Sequence, residues 1–161
     1  MLIEIWTKDK YAGNEETELV ERLSRAGLDV KTAKLSRLYS VDAAWPERDF
    51  SRLATGLLAD RITERSSLSR RPGLDGLYRV EVWLKKSATD VIGESVKEAI
   101  HDMLGRAPSG VRFGRAYYLA GGGSRKPARV RGTDPYALKL RAVVAKTLAN
   151  EIVQTFTIEP S

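Results

Sequence analysis

Three segments of the first half of the chain recur, in order, in the second half, and a doubled unit must be built the same way twice. Ile3-Glu4-Ile5-Trp6-Thr7-Lys8 matches Val80-Glu81-Val82-Trp83-Leu84-Lys85 at an offset of 77 residues. Arg37-Leu38-Tyr39-Ser40-Val41 matches Arg115-Ala116-Tyr117-Tyr118-Leu119 at an offset of 78. Leu58-Ala59-Asp60-Arg61-Ile62-Thr63-Glu64 matches Leu148-Ala149-Asn150-Glu151-Ile152-Val153-Gln154 at an offset of 90. The jump from 78 to 90 puts an insertion in the second copy after Leu119, at the Gly-rich stretch near 121–133. The expected organisation is a first repeat at 1–68, a linker at 69–77 whose Pro72, Gly73 and Gly76 carry no periodicity, and a second repeat at 78–161.

Each copy reads as strand, helix, strand, helix, strand. The first strands alternate, with Ile3, Ile5 and Thr7 on one face and Leu2, Glu4, Trp6 and Lys8 on the other; Tyr78 to Lys85 repeats the pattern. In the first helix Asn14 is the expected cap, Leu19, Val20, Leu23 and Ala26 the apolar face, and Gly27 the terminator. Its counterpart has Asp90 as cap, Val96, Ala99, Ile100 and Met103 as face, and Gly105 as terminator. Middle strands are expected near 31–41 and 111–120, and closing strands near 62–68 and 152–158. Between them, Pro46 opens one second helix, with Phe50, Leu53, Leu57 and Leu58 buried. The other begins at Asp134-Pro135 and buries Leu140, Val144 and Leu148. The fold class is therefore α+β: two tandem α/β sandwich repeats with mainly antiparallel sheets. A copy of this size is marginal alone, so the two are expected to support each other.

The chemistry open to the chain is narrow. With no Cys and only His101, it has no thiolate nucleophile, no Cys-based zinc site and no histidine cluster. The nearest pair of helix-start carboxylates, Asp90 and Glu94, is accounted for by capping. Neither catalytic nor metal-ligating residues, nor a cofactor, are expected. There is no apolar run long enough to cross a membrane, and acidic Glu4 follows Met1 where a signal peptide would be basic, so a cytoplasmic protein is expected.

Two features are candidates for binding. The repeated Glu-x-Trp-x-Lys set, with Glu4, Trp6, Glu81, Trp83 and Lys85 on the nominally outer strand face, suits either packing over a sheet edge or helix, or an interface where the two sheets meet or a partner docks, since large aromatics anchor interfaces. The second repeated segment adds Arg37, Tyr39, Arg115 and Tyr117. The net charge of +6 arises after residue 76, and Arg125, Lys126, Arg129 and Arg131 lie together in the Gly-rich stretch. That basic loop lacks the spacing of a phosphate loop, and its electrostatics suit nucleic acid or an acidic surface.

The second copy resembles the PurS family, the small subunit of phosphoribosylformylglycinamidine synthase (formylglycinamide ribonucleotide amidotransferase). The resemblance is carried by Val80 to Lys85, by Asp90-Val91-Ile92-Gly93-Glu94-Ser95-Val96 in the place of Asp-Pro-x-Gly-x-x-Val, by Val111 to Arg115 in the place of a Gly-Lys strand, and by Leu148-Ala149-Asn150-Glu151-Ile152. Val91 replaces the family's Pro, Arg115 its Lys, and the basic loop is additional. The first copy keeps the strand, Ser36-Arg37 and Leu57-Leu58-Ala59-Asp60. The resemblance implies a ferredoxin-like-related fold, two PurS-like repeats forming a fused pseudo-dimer like the N-terminal region of large single-chain PurL. It also implies a non-catalytic adaptor, with PurL-like synthase and PurQ-like glutaminase as partners and homo-oligomers possible. The rival expectation is a nucleic-acid-binding α+β module using Arg125 to Arg131, which salt would weaken steeply.

Overall fold

The computed structural model of the chain describes residues 1–121 and 135–161. Among these residues six strands and four α-helices follow one another as β1 (Leu2–Thr7), α1 (Gly13–Arg25), β2 (Thr32–Asp42), α2 (Glu47–Leu53), β3 (Glu64–Ser67), β4 (Tyr78–Leu84), α3 (Val91–Leu104), β5 (Gly110–Ala120), α4 (Pro135–Thr147) and β6 (Gln154–Pro160). The strands form one antiparallel sheet in the order β3-β1-β2-β5-β4-β6. The fold is α+β, with a single six-stranded sheet and not two separate ones.

The registers of the two sides are related by the offsets read from the sequence. Leu2 pairs with Ser40 on one side; 77 and 78 residues further on, Arg79 pairs with Tyr118. Glu4 pairs with Ser67, and 77 and 90 residues further on, Glu81 pairs with Thr157. The halves join along the β2 and β5 ladder, where Arg37 sits opposite Arg115.

Alternation along the strands decides what lies between sheet and helices. One apolar cluster joins Leu19 and Leu23 of α1 to Val80 and Val82 of β4, Leu119 of β5, and Leu140 and Val144 of α4. The other joins Ile3 and Ile5 of β1, Phe50 and Leu53 of α2, and Ile100 of α3, with Val96 and Met103 packed against it. Each half thus lends its first helix to the core of the other. Two ties strengthen the exchange: Arg22 of α1 donates to the Thr147 carbonyl at the end of α4, and Arg106 pairs with Asp49 of α2 while stacking over Trp45 at 4.6 Å.

Helix ends follow the sequence in the second half. Asp90 accepts from Gly93 N–H at 2.7 Å, its second oxygen accepts from Phe113 N–H of β5 at 2.8 Å, and Gly105 ends α3 in the left-handed region. Gly93 is required by space, since a Cβ there would lie 2.4 Å from the Val111 carbonyl oxygen. In the first half Gly27 takes φ of 92°, as a terminator should. The cap expected at Asn14 is not used: a 3₁₀ turn at Asp9–Tyr11 runs into α1, whose cap is Ala12 with no side-chain bond, so Asn14 already lies in the first turn. Pro46 caps α2, which runs on through a π-helical turn at Ala54–Leu58. Asp134, expected to cap α4, lies outside the described residues.

Candidate interface surfaces

The sheet face opposite the helices is not open. Leu38, Ala116 and Tyr118 are buried there under Leu74 and Leu77 of the segment between β3 and β4, with Trp83 alongside. Arg71 anchors that segment: its backbone N–H donates to Glu4 Oε2 at 3.0 Å, its side chain reaches the Leu35 carbonyl at 3.4 Å, and its guanidinium stacks on Trp6 at 5.1 Å. Burial pulls the Arg71 pKa down, against the opposing pull of Asp9.

Glu4, which alternation puts on the nominally outer strand face, is closed off from solvent and lies where the two halves meet. Glu4 is fully buried and pairs with Arg79, also fully buried, at 3.0 Å. Tyr118 Oη donates to Glu4 Oε1 at 2.7 Å and accepts from Arg79. Burial first, then the hydrogen bond to the Glu4 carboxylate, pushes the Tyr118 phenol far above its usual range. This triad binds the first half to the second by a charge pair that neither could bury alone, because an isolated buried charge is far costlier than a paired one. Arg79 and Tyr118 were not singled out from sequence. The available signal was an Arg in β4 that alternation places on the same face as Glu81 and Trp83, the face that carries Glu4 and Trp6 in β1.

From this triad the contacts run outward to Trp83. Arg79 donates to Glu81 Oε1 at 2.8 Å, and Trp83 Nε1 donates to Glu81 Oε2 at 3.1 Å. Burial alone would raise the Glu81 pKa, but these two donors and the Arg79 charge outweigh it and hold the carboxylate below its ordinary value. The indole lies across Gly114, where a Cβ would approach it to 2.6 Å, and Arg112 stacks over it at 5.6 Å. Trp6, Trp83 and Lys85 are half-buried, so each still offers part of its surface. Trp6 also borders a concave region of about 650 Å³ beside β3, shared with Arg61, Arg65 and Pro72.

The other four candidates face the helix layer at the centre of the sheet. Tyr39 and Tyr117 are buried, at 4% and 7% exposure, so they contribute packing and not an open docking surface. Arg37 is held by Tyr39 Oη at 3.2 Å, the Leu58 carbonyl at 3.3 Å and Glu64 Oε2 at 2.6 Å. Arg115 is exposed and stacks on Phe113 at 5.8 Å. His101 lies on the exposed surface of α3. Arg125, Lys126, Arg129 and Arg131 lie outside the described residues. Among the described residues, no helix is long and apolar enough to cross a membrane, and no group of three or more His, Asp or Glu side chains could hold a metal ion.

Neither a protein family model nor a curated protein matches the chain.

Proposed function

We propose that the chain is a non-catalytic adaptor of formylglycinamide ribonucleotide amidotransferase, bridging a PurL-like synthase and a PurQ-like glutaminase in cytoplasmic purine biosynthesis. In this reading an ancestral PurS-like unit was doubled, and the two copies, 1–68 and 78–161, form a fused pseudo-dimer. The observation that carries the reading is the register relation: offsets of 77, 78 and 90 residues relate the strand pairs of one half to those of the other, with Arg37 opposite Arg115 at the centre. That relation supports a pairing of equivalent units, and the exchange of α1 and α3 between cores supports units that do not act singly. The Asp90 and Gly93 helix start gives the family-like motif a physical purpose in fixing α3 against β5.

The half-buried Trp6 and Trp83, with Lys85, are the surfaces this function would use, because aromatic anchors dominate interface energies. The deciding experiment is reconstitution with the synthase and glutaminase. Glutamine-dependent amidation should need this chain, and the three proteins should co-migrate as one particle. An amidation rate identical with and without the chain would sink the proposal.

A further inference from the structure

The two halves differ at one position in a way that changes what the second can bind. In the first half Glu64 accepts from the Asp60 N–H at 2.8 Å through Oε1 and from Arg37 at 2.6 Å through Oε2. The equivalent residue in the second half is Gln154. Its Oε1 accepts from the Asn150 N–H at 2.8 Å, which fixes the amide orientation and leaves Nε2 where the first half has a carboxylate oxygen. The counterpart of Arg37 is Arg115. Among the described residues, neither the Arg115 guanidinium nor the Gln154 amide nitrogen has a hydrogen-bond acceptor. Both line one cavity of about 180 Å³, whose remaining wall includes Ile92, Phe113, Leu148 and Leu84. The pocket thus presents two donor groups, one of them a permanent cation, beside the Tyr117 ring, and no carboxylate.

We propose that this cavity binds a carboxylate carried on a short apolar stem, the carboxylate lying between Arg115 and Gln154 and the stem against Ile92, Phe113 and Leu148. The ligand supplies the acceptor that Glu64 supplies internally in the first half. Charge-assisted hydrogen bonds from a guanidinium to a carboxylate are among the stronger ones available. A free short-chain acid and an acidic side chain of a docked polypeptide present the same chemistry. The inference concerns a ligand class and stands independently of the adaptor reading.

The probes are isocaproate, its neutral amide, and the capped dipeptide acetyl-leucyl-glutamate amide, titrated into the full chain while the side-chain N–H resonances of Arg115 and Gln154 are followed by NMR. Saturable shifts of both groups with a carboxylate probe, and none with isocaproamide, are expected. Isocaproate binding marks a free-acid site; binding by the dipeptide alone marks a side-chain docking site. Gln154→Glu provides the acceptor internally and should weaken carboxylate binding at least about tenfold, as should Arg115→Ala. The second variant keeps the test open should the first fold poorly. Binding unchanged in both variants, equal binding of the neutral amide, or no shift with either carboxylate would overturn the proposal.

Discussion

Arg37 and Arg115 stand directly opposite each other in the central ladder, and each is the other's counterpart 78 residues along the chain. Like charges across a ladder oppose pairing unless one is engaged elsewhere. Arg37 is engaged by Glu64, Tyr39 and the Leu58 carbonyl, whereas Arg115 is exposed. Arg37→Ala should therefore destabilise the fold by about 1 to 2 kcal/mol, after allowance for its partial exposure. Arg115→Ala should lie within about 0.5 kcal/mol of the parent or be slightly more stable. Urea unfolding of both variants checks the order, and the opposite order would contradict the assignment.

The buried triad makes a sharper demand. Glu4→Gln removes the fully buried counter-ion of Arg79, leaving it the partly exposed Glu81, and should cost about 2 to 3 kcal/mol. Tyr118→Phe removes only the phenol and should cost about 1 to 2 kcal/mol. Replacing both ions by apolar residues, Glu4→Leu with Arg79→Met, should cost less than the sum of the two single replacements, since each single change leaves one fully buried ion without its fully buried partner. Additive losses in that double-mutant cycle would show that the two side chains do not interact.

Glu81 sets part of the acid limb. Its folded pKa lies below the ordinary glutamate value of 4.5, so the carboxylate adds stability that is fully present above pH 4.5 and is lost as pH falls through the folded value. Glu81→Gln should be less stable than the parent near neutral pH, and the gap should close on acidification below pH 4.5. Thermal unfolding across that range measures it; a gap independent of pH would remove Glu81 from the acid limb.

Much of the architecture was legible because it rests on local patterns. Alternation located β1 and β4, and glycines able to take positive φ located the ends of α1 and α3. What sequence did not give was the covering of the second sheet face. Glu4 belongs by alternation to a solvent-facing set, and only the path of residues 71–77 across Tyr118 and Leu38 turns it into a buried partner of Arg79. That segment has no periodicity to reveal its destination. Asn14 failed for a related reason: the preceding 3₁₀ turn satisfies the chain entry, so a good capping residue arrives two positions late. The Glu64 to Gln154 exchange stood within the matched repeat, but its meaning required Arg37 and Arg115 to be placed beside those residues.

The start of α3 offers a steric test. Gly93→Ala brings a methyl group to 2.4 Å from the Val111 carbonyl, which is backbone and cannot rotate away. The helix start must then part from β5, at a cost of about 2 to 3 kcal/mol and with loss of the Asp90 bond to Phe113 N–H. Asp90→Ala removes the cap and that bond without a clash, and should cost about 1 to 2 kcal/mol. Hydrogen exchange at the Phe113 amide should accelerate in both variants. Unchanged protection there would mean that α3 is not fixed through Asp90.

The exchange of helices between cores predicts what happens when the chain is divided. Residues 1–76 alone carry Ile3, Ile5, Phe50 and Leu53 but lack the Ile100, Val96 and Met103 that close over them. Residues 77–161 carry Val80, Val82, Leu140 and Val144 but lack Leu19 and Leu23. Each fragment would also keep one member of the fully buried Glu4 and Arg79 pair without the other, weakening the case for burying it. Neither fragment should unfold cooperatively as a monomer, and an equimolar mixture should regain cooperative unfolding and the dispersed amide spectrum of the intact chain. Gel filtration and NMR of the two fragments, apart and mixed, measure this directly. A stable monomeric fold for either fragment would mean that the halves are joined by contact only and that the shared cores contribute little to holding them.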